Sequence, residues 1–153
     1  MVKITVVGAG SLAWSATLVR DLCLTPSLKG SVVTFMDINE ERLNLIHAFA
    51  TRYASEVKAN LFFEKTSDRK TALRDSDVVI NTAMAGGHYY EDMRKISEKH
   101  GYYRGINSVE WNMVSDYHTI WGYYQFKLAL SVAKDIEELS PDAWLLQLGN
   151  PVF

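Results

Sequence analysis

Lys3-Ile4-Thr5-Val6-Val7-Gly8-Ala9-Gly10-Ser11-Leu12-Ala13 is the stretch that decides the fold. Its first five residues form a largely β-branched run with no polar face to speak of, which suits a strand buried on both sides, as in a parallel sheet. Gly8-Ala9-Gly10-Ser11 ends the run, and good helix formers continue from Leu12 to Leu24 until Thr25-Pro26, where the proline stops the helix. Strand, glycine loop and helix succeed one another without a gap. Gly8, Gly10 and Ala13 therefore satisfy the pattern G-x-G-x-x-G/A in the context that gives it meaning. In that pattern Gly8 permits the tight turn, Gly10 lets the backbone approach a pyrophosphate, and the small Ala13 lets the helix lie close to the sheet. The helix N-terminus, with Ser11 at its head, offers unpaired N–H groups and a partial positive charge to phosphates.

Outward from this stretch, Ser31 to Met36 is a second buried-strand candidate closed by Asp37, and Asn39 can cap the next helix. There Leu43, Ile46, Phe49 or Ala50, Tyr53 and Val57 recur at helical spacing while Glu40, Glu41, Arg52, Glu56 and Lys58 face water. Leu61 to Lys65 is a third strand, and Asp77 to Thr82 a fourth that ends in the loop Ala85-Gly86-Gly87. Helices over about Tyr89 to His100 and Asp116 to Leu139 precede a fifth strand, Ala143 to Leu148. Alternating strands and helices predict an α/β fold with a doubly wound parallel sheet, Rossmann-like, formed by residues 1–153 as one dinucleotide-binding domain. An acidic residue at the end of the second strand takes the ribose hydroxyls of adenosine in such folds, and Asp37 stands there, somewhat beyond the usual spacing of about 20 residues. A carboxylate at that place repels a 2′-phosphate, so the expected cofactor is NAD and not NADP. Arg42 is placed to lay its guanidinium over adenine or to be a solvated helix arginine. Asn81, Thr82 and Ala83 end the fourth strand where open sheets bind ligands, and the competing reading of Asn81 is a buried side chain that caps backbone.

With 153 residues the chain matches one domain of the usual roughly 100–200. Sixteen Lys and Arg against eighteen Asp and Glu leave a net charge of -2, so no nucleic-acid or membrane partner is expected, only small molecules. The composition, 48% apolar and 22% charged, is that of a globular chain, and no apolar run nears the roughly 18 residues of a membrane span. Absence of a signal-like start and a single cysteine, Cys23, lead to a cytoplasmic expectation. His47, His88, His100 and His118 lack metal-ligand spacing. The aromatic cluster from Tyr102 to Phe126 reads as core or subunit interface ahead of sugar contact, in line with a homo-oligomer. No G-x-S-x-G elbow appears, and no carboxylate pair stands out for ordinary glycoside hydrolysis, so catalytic residues stay unassigned.

Several stretches together carry a resemblance: Gly8 to Ser11, Met36-Asp37-Ile38 with Glu41-Arg42-Leu43, Asn81-Thr82-Ala83 with Gly86-Gly87, Gly101-Tyr102-Tyr103-Arg104-Gly105-Ile106, Asn112-Met113-Val114-Ser115-Asp116, and Asn150-Pro151. Over nearly its whole length the chain resembles the N-terminal half of glycoside hydrolase family 4, in its α-glucosidase-like branch. The resemblance implies a hydrolase that needs NAD and a divalent metal, commonly Mn2+, and that cleaves O-glycosidic bonds of small-molecule glycosides, α-glucosides foremost. The implied route is oxidation of the sugar at C3, loss of the acidified C2 proton, elimination of the aglycone, hydration and return of the hydride. It also implies that Asp116 and Asn150 meet the sugar, while the metal ligands and the base come from a C-terminal half that this chain lacks. Two alternatives stand beside it: an NAD-dependent 2-hydroxy acid dehydrogenase, and a truncated, non-enzymatic nucleotide-binding domain.

Overall fold

The computed structural model describes residues 1–85, 95, 96, 99, 100 and 118–148, with backbone alone for 118–122. Five strands, β1 (Lys3–Val7), β2 (Val32–Met36), β3 (Phe62–Thr66), β4 (Val78–Asn81) and β5 (Trp144–Gln147), form one sheet. Every pairing is parallel and the order is β3-β2-β1-β4-β5. From β1 the chain winds outward to β3, returns to β4 on the other side of β1, and winds outward again to β5. The predicted doubly wound sheet is thus formed, with the strand order reversing between β1 and β4.

Helices α1 (Leu12–Cys23) and α2 (Glu40–Glu56) cover one face, where Val19, Leu22, Leu43 and Ile46 pack on Ile4, Val6, Val33, Phe35 and Ile80. Helices α3 (Arg69–Leu73) and α4 (His118–Leu139) cover the other, where Ala72, Leu73, Val132 and Ile136 meet Val7, Met36 and Val79. Strand β1 is buried on both sides because its alternate residues point into these two cores. Thr5, wholly buried in it, has its hydroxyl satisfied by donation to the Ala72 carbonyl at 2.8 Å and by a 2.7 Å bond shared with Ser76. Arg69 ties α3 to α4, its guanidinium reaching Asp135 at 2.7 Å and Ser131 at 2.7 Å.

Element boundaries fall within one or two residues of the sequence expectation, but one open packing choice is decided and two packing assignments change. On α2 the inward face is Leu43, Ile46, Ala50 and Ala54, whereas Phe49 is 42% exposed and stacks on Tyr53 at the surface. Helical periodicity admits either 49 or 50, and the small Ala50 is the one that fits the close contact. Val57 lies past the helix end, as its C-cap, and is exposed. Ala13 is exposed too. The inward residues of α1 are Ser15, Val19 and Leu22, and Ala13 stands about 200° round the helix from Ser15. Ser15 instead makes the close approach, donating its hydroxyl to the Ala9 carbonyl at 2.7 Å. The five-residue α3 and the 3-10 turn Pro26–Leu28 are too short to leave a periodic signal. Most of the helix expected over Tyr89 to His100, and Asp116 at the head of the last one, lie outside the described residues.

Candidate functional site

The reversal point brings three loops to the C-terminal edge of the sheet: Gly8 to Ser11 after β1, Asp37 after β2, and Thr82 to Ala85 after β4. Gly8 has a φ of +88, and a Cβ on it would lie 2.5 Å from the backbone N and Cα of Ala83. Only glycine meets both conditions. The Gly8 and Ala9 N–H groups donate to the Met36 carbonyl at 2.9 and 3.1 Å, which binds the turn to β2. On the other side Thr82 donates its N–H to the Val7 carbonyl at 2.8 Å and turns its hydroxyl toward the Val7 and Gly8 carbonyls at 3.1 and 3.2 Å. The glycine turn is therefore laced to both neighbouring strands.

Asp37 lies against this turn. The Gly10 N–H donates to its Oδ2 at 2.7 Å and the Asn39 N–H to its Oδ1 at 2.8 Å. A Cβ at residue 10 would stand 2.7 Å from Asp37 Oδ2, so the space that glycine leaves open is filled here by the carboxylate. Each carboxylate oxygen uses one acceptor position on backbone and keeps another, about four per carboxylate in all. Ser11 occupies the N-cap of α1 without a side-chain cap bond, whereas Asn39 and Asp68 accept from backbone N–H groups at the heads of α2 and α3. Among α1, α2 and α3, the donors at the head of α1 are the ones left without a side-chain cap.

Asn81 is fully buried. Its Nδ2 donates to Gln147 Oε1 at 2.8 Å across the β4–β5 pair, and its Oδ1 accepts from the Ala83 N–H at 3.2 Å. Gln147 Nε2 is buried and has no hydrogen-bond partner among the described residues. Ala83 and Ala85 are further held by Gln125 of α4, a residue that sequence reasoning passed over. A glutamine between Tyr124 and Phe126 in an aromatic helix was the available signal, but nothing local distinguishes it from a solvated one. Arg42 gives its backbone N–H to Asn39 Oδ1 at 3.0 Å and its side chain is exposed. Asp116 and Asn150 lie outside the described residues.

Among the described residues no group of three or more His, Cys, Asp and Glu could hold a metal ion. His47 lies on α2 with Nε2 3.1 Å from the Phe63 carbonyl, away from the site. Burial pushes the Cys23 thiol above its ordinary value, which makes it a weak nucleophile. Among the described residues no helix is long and apolar enough to cross a membrane.

The sequence pattern of the family described as Family 4 glycosyl hydrolase matches residues 3–153. The chain belongs to family 4 of the glycosyl hydrolases. It is 30% identical over 160 residues to an α-galactosidase of Bacillus subtilis, covering 99% of this chain and 35% of that protein. Among solved structures it is similar to a 6-phospho-β-glucosidase from Thermotoga maritima, determined with manganese, NAD+ and glucose-6-phosphate. The TM-score is 0.84 at 21% identity, covering 99% of this chain and 35% of the other. A weaker likeness reaches a lactate dehydrogenase of Cryptosporidium parvum, complexed with lactic acid and its dinucleotide cofactor, with a TM-score of 0.62 at 19% identity over 97% of this chain and 37% of the other. This family-4 chain thus spans about a third of the length of the relatives it matches.

Proposed function

We propose that residues 1–153 are the NAD-binding portion of a family-4 glycosidase that hydrolyses O-glycosidic bonds, α-glucosides foremost. The observation that carries the reading is the Asp37 carboxylate, fixed by the Gly10 and Asn39 N–H groups with one acceptor position left on each oxygen. Two vicinal ribose hydroxyls match those two positions, and a 2′-phosphate is repelled by the same charge. The head of α1, without a side-chain cap, suits the diphosphate, with Gly8, Gly10 and Ser11 lining the approach. Arg42 flanks the adenine side, while Asn81 and Ala83 flank the other, Asn81 through the loop that it orders. Membership of the family supports the hydrolase reading.

When bound, NAD+ supplies reversible acceptance of a hydride from the sugar. This chain's residues bind and orient that cofactor, and Asp116 and Asn150 are proposed to meet the sugar. Among the described residues no set of side chains fits Mn2+. Trp144, Leu146 and Leu148 form an exposed apolar row on the edge strand and its continuation, which supports covering of this edge in the working protein, as in a homo-oligomer.

Calorimetric titration of the 153-residue chain with NAD+ and NADP+ tests the reading. Saturable binding that prefers NAD+, weakened at least about tenfold by Asp37→Ala, is expected from loss of hydrogen bonds to a charged acceptor. Equal affinity for the two dinucleotides, or no effect of Asp37→Ala, would overturn the ribose role. Lasting NADH accumulation from a 2-hydroxy acid would favour a dehydrogenase instead.

A further inference from the structure

We infer that Gln125 is a positioning residue that holds the loop Ala83–Ala85 in the place where it supports the nicotinamide half of a dinucleotide. The inference rests on the NAD reading above and assigns a residue of α4, remote in sequence from the glycine turn, to the same site. Gln125 is 2% exposed. Burial of a long amide costs rotamer freedom and hydration, a cost that partners at both ends of the amide offset. Both ends have partners here, and in one loop: Nε2 donates to the Ala83 carbonyl at 3.0 Å, and Oε1 accepts from the Ala85 N–H at 2.8 Å. A carbonyl can only accept and an N–H only donate, so the two partners dictate the orientation of the amide.

The loop belongs to no helix or strand, and its backbone groups need partners from elsewhere. Asn81 supplies one at the Ala83 N–H and is itself anchored across the sheet by Gln147. Gln125 supplies two more, at the Ala83 carbonyl and the Ala85 N–H. The position thus enforced is that of Ala83, whose backbone occupies the space a Gly8 Cβ would need. Gln125 acts on this contact from the side opposite Asp37, which bears on the glycine turn through Gly10. A dinucleotide lies across the reversal point with its adenosine half toward β2 and its other half toward β4. Asp37 accordingly serves the adenosine half, and Gln125, acting through Ala83 and Ala85, serves the nicotinamide half.

The test is titration of the 153-residue chain, wild type and variants, with NAD+ and separately with ADP, which lacks the nicotinamide half. Gln125→Met keeps the length and apolar bulk of the side chain and loses both bonds. A loop that then spends about a tenth of its time in place raises the Kd for NAD+ about tenfold and leaves that for ADP within about twofold. Gln125→Glu gives a second, independent reading. Its protonated carboxyl donates to the Ala83 carbonyl and accepts from the Ala85 N–H, as the amide does, whereas the carboxylate repels the carbonyl. Burial raises the pKa of such a group, so NAD+ affinity should be weak at about pH 8 and recover toward wild type at about pH 5.5. A general loss of structure caused by the buried carboxylate would weaken ADP at about pH 8 as well, so the recovery counts for the inference only where the Kd for ADP stays within about twofold across the same pH range. If wild type binds NAD+ and Gln125→Met binds it equally well, or loses NAD+ and ADP alike, the inference is overturned while the NAD reading stands. Should Gln125→Met not fold, flat pH dependence of Gln125→Glu relative to wild type overturns it. If wild type binds neither ligand, the NAD reading fails and the inference with it.

Discussion

Replacing Gly8 by alanine introduces two separate penalties, and a second glycine allows them to be told apart. Gly8 and Gly30 have nearly the same backbone torsion, φ of +88 and +84, but a Cβ at residue 30 meets nothing within 4 Å, whereas at residue 8 it meets Ala83 backbone at 2.5 Å. At either site an L-residue costs about 1–2 kcal/mol for the left-handed torsion, offset by about 0.4–1 kcal/mol from the reduced freedom of the unfolded chain. Gly30→Ala should therefore lower stability by about 1 kcal/mol. At Gly8 the Cβ must gain about 1 Å from backbone atoms that cannot rotate away, and Ala83 is restrained by Asn81 and Gln125. Overpacking of this kind adds about 1–3 kcal/mol, so Gly8→Ala should cost about 2–4 kcal/mol. With a urea dependence of about 2 kcal/mol per molar, the midpoints fall by about 0.5 M for Gly30→Ala and about 1–2 M for Gly8→Ala. Urea unfolding monitored by far-UV circular dichroism measures both. Equal midpoint shifts for the two variants would refute the close approach of Ala83 as the reason for glycine at residue 8.

Helix α3, too short to be read from the sequence, provides two further tests. Asp68 caps α3, and donation from the Thr71 hydroxyl, then from the Thr71 N–H, holds its pKa below the ordinary carboxylate value. A lowered folded pKa means that the cap's contribution is complete above the unfolded value of about 4 and is lost as pH falls through the folded one. Asp68→Asn should flatten the fall of the urea midpoint between about pH 4 and pH 2, and parallel curves for wild type and variant would contradict this. Asp135→Ala strands the Arg69 guanidinium, whose side chain is 25% exposed, and should cost about 2–3 kcal/mol. Arg69→Met combined with Asp135→Leu should recover most of that in the same assay, and a double variant as unstable as the single one would count against a charge origin.

The sheet, its parallel sense and the glycine turn were legible because each is written in adjacent residues. Lys3 to Val7 is apolar on both faces, Asn39 stands as a cap at the head of the second helix, and Gly8 to Ser11 links a strand to a helix with no residue to spare. Asp37 was legible as well, since the end of the second strand is a place that the alternation of elements defines. The choice between Phe49 and Ala50 for the α2 core stayed open because periodicity specifies a face to within one residue, and the room available beneath the helix chooses Ala50. Val57 failed as a core residue because the helix ends before it. Ala13 failed as well. The fingerprint names a small residue at that spacing, but the phase of α1 turns Ser15 toward the sheet and Ala13 to water.

By itself the sequence determined what short-range physics encodes: which segments are strands, where glycine interrupts them, and where a carboxylate stands at a strand end. Only the tertiary structure decided the contacts between segments far apart in the chain. Asp37 meets Gly10 27 residues away, so the second glycine of the fingerprint makes room for a carboxylate of the chain itself. Gln125 meets Ala83 42 residues away, which turns an unremarked amide in an aromatic helix into a fastening of the site. Such pairs leave no periodic trace, because a hydrogen bond across the fold depends on two side-chain directions and a loop path that local propensity does not specify.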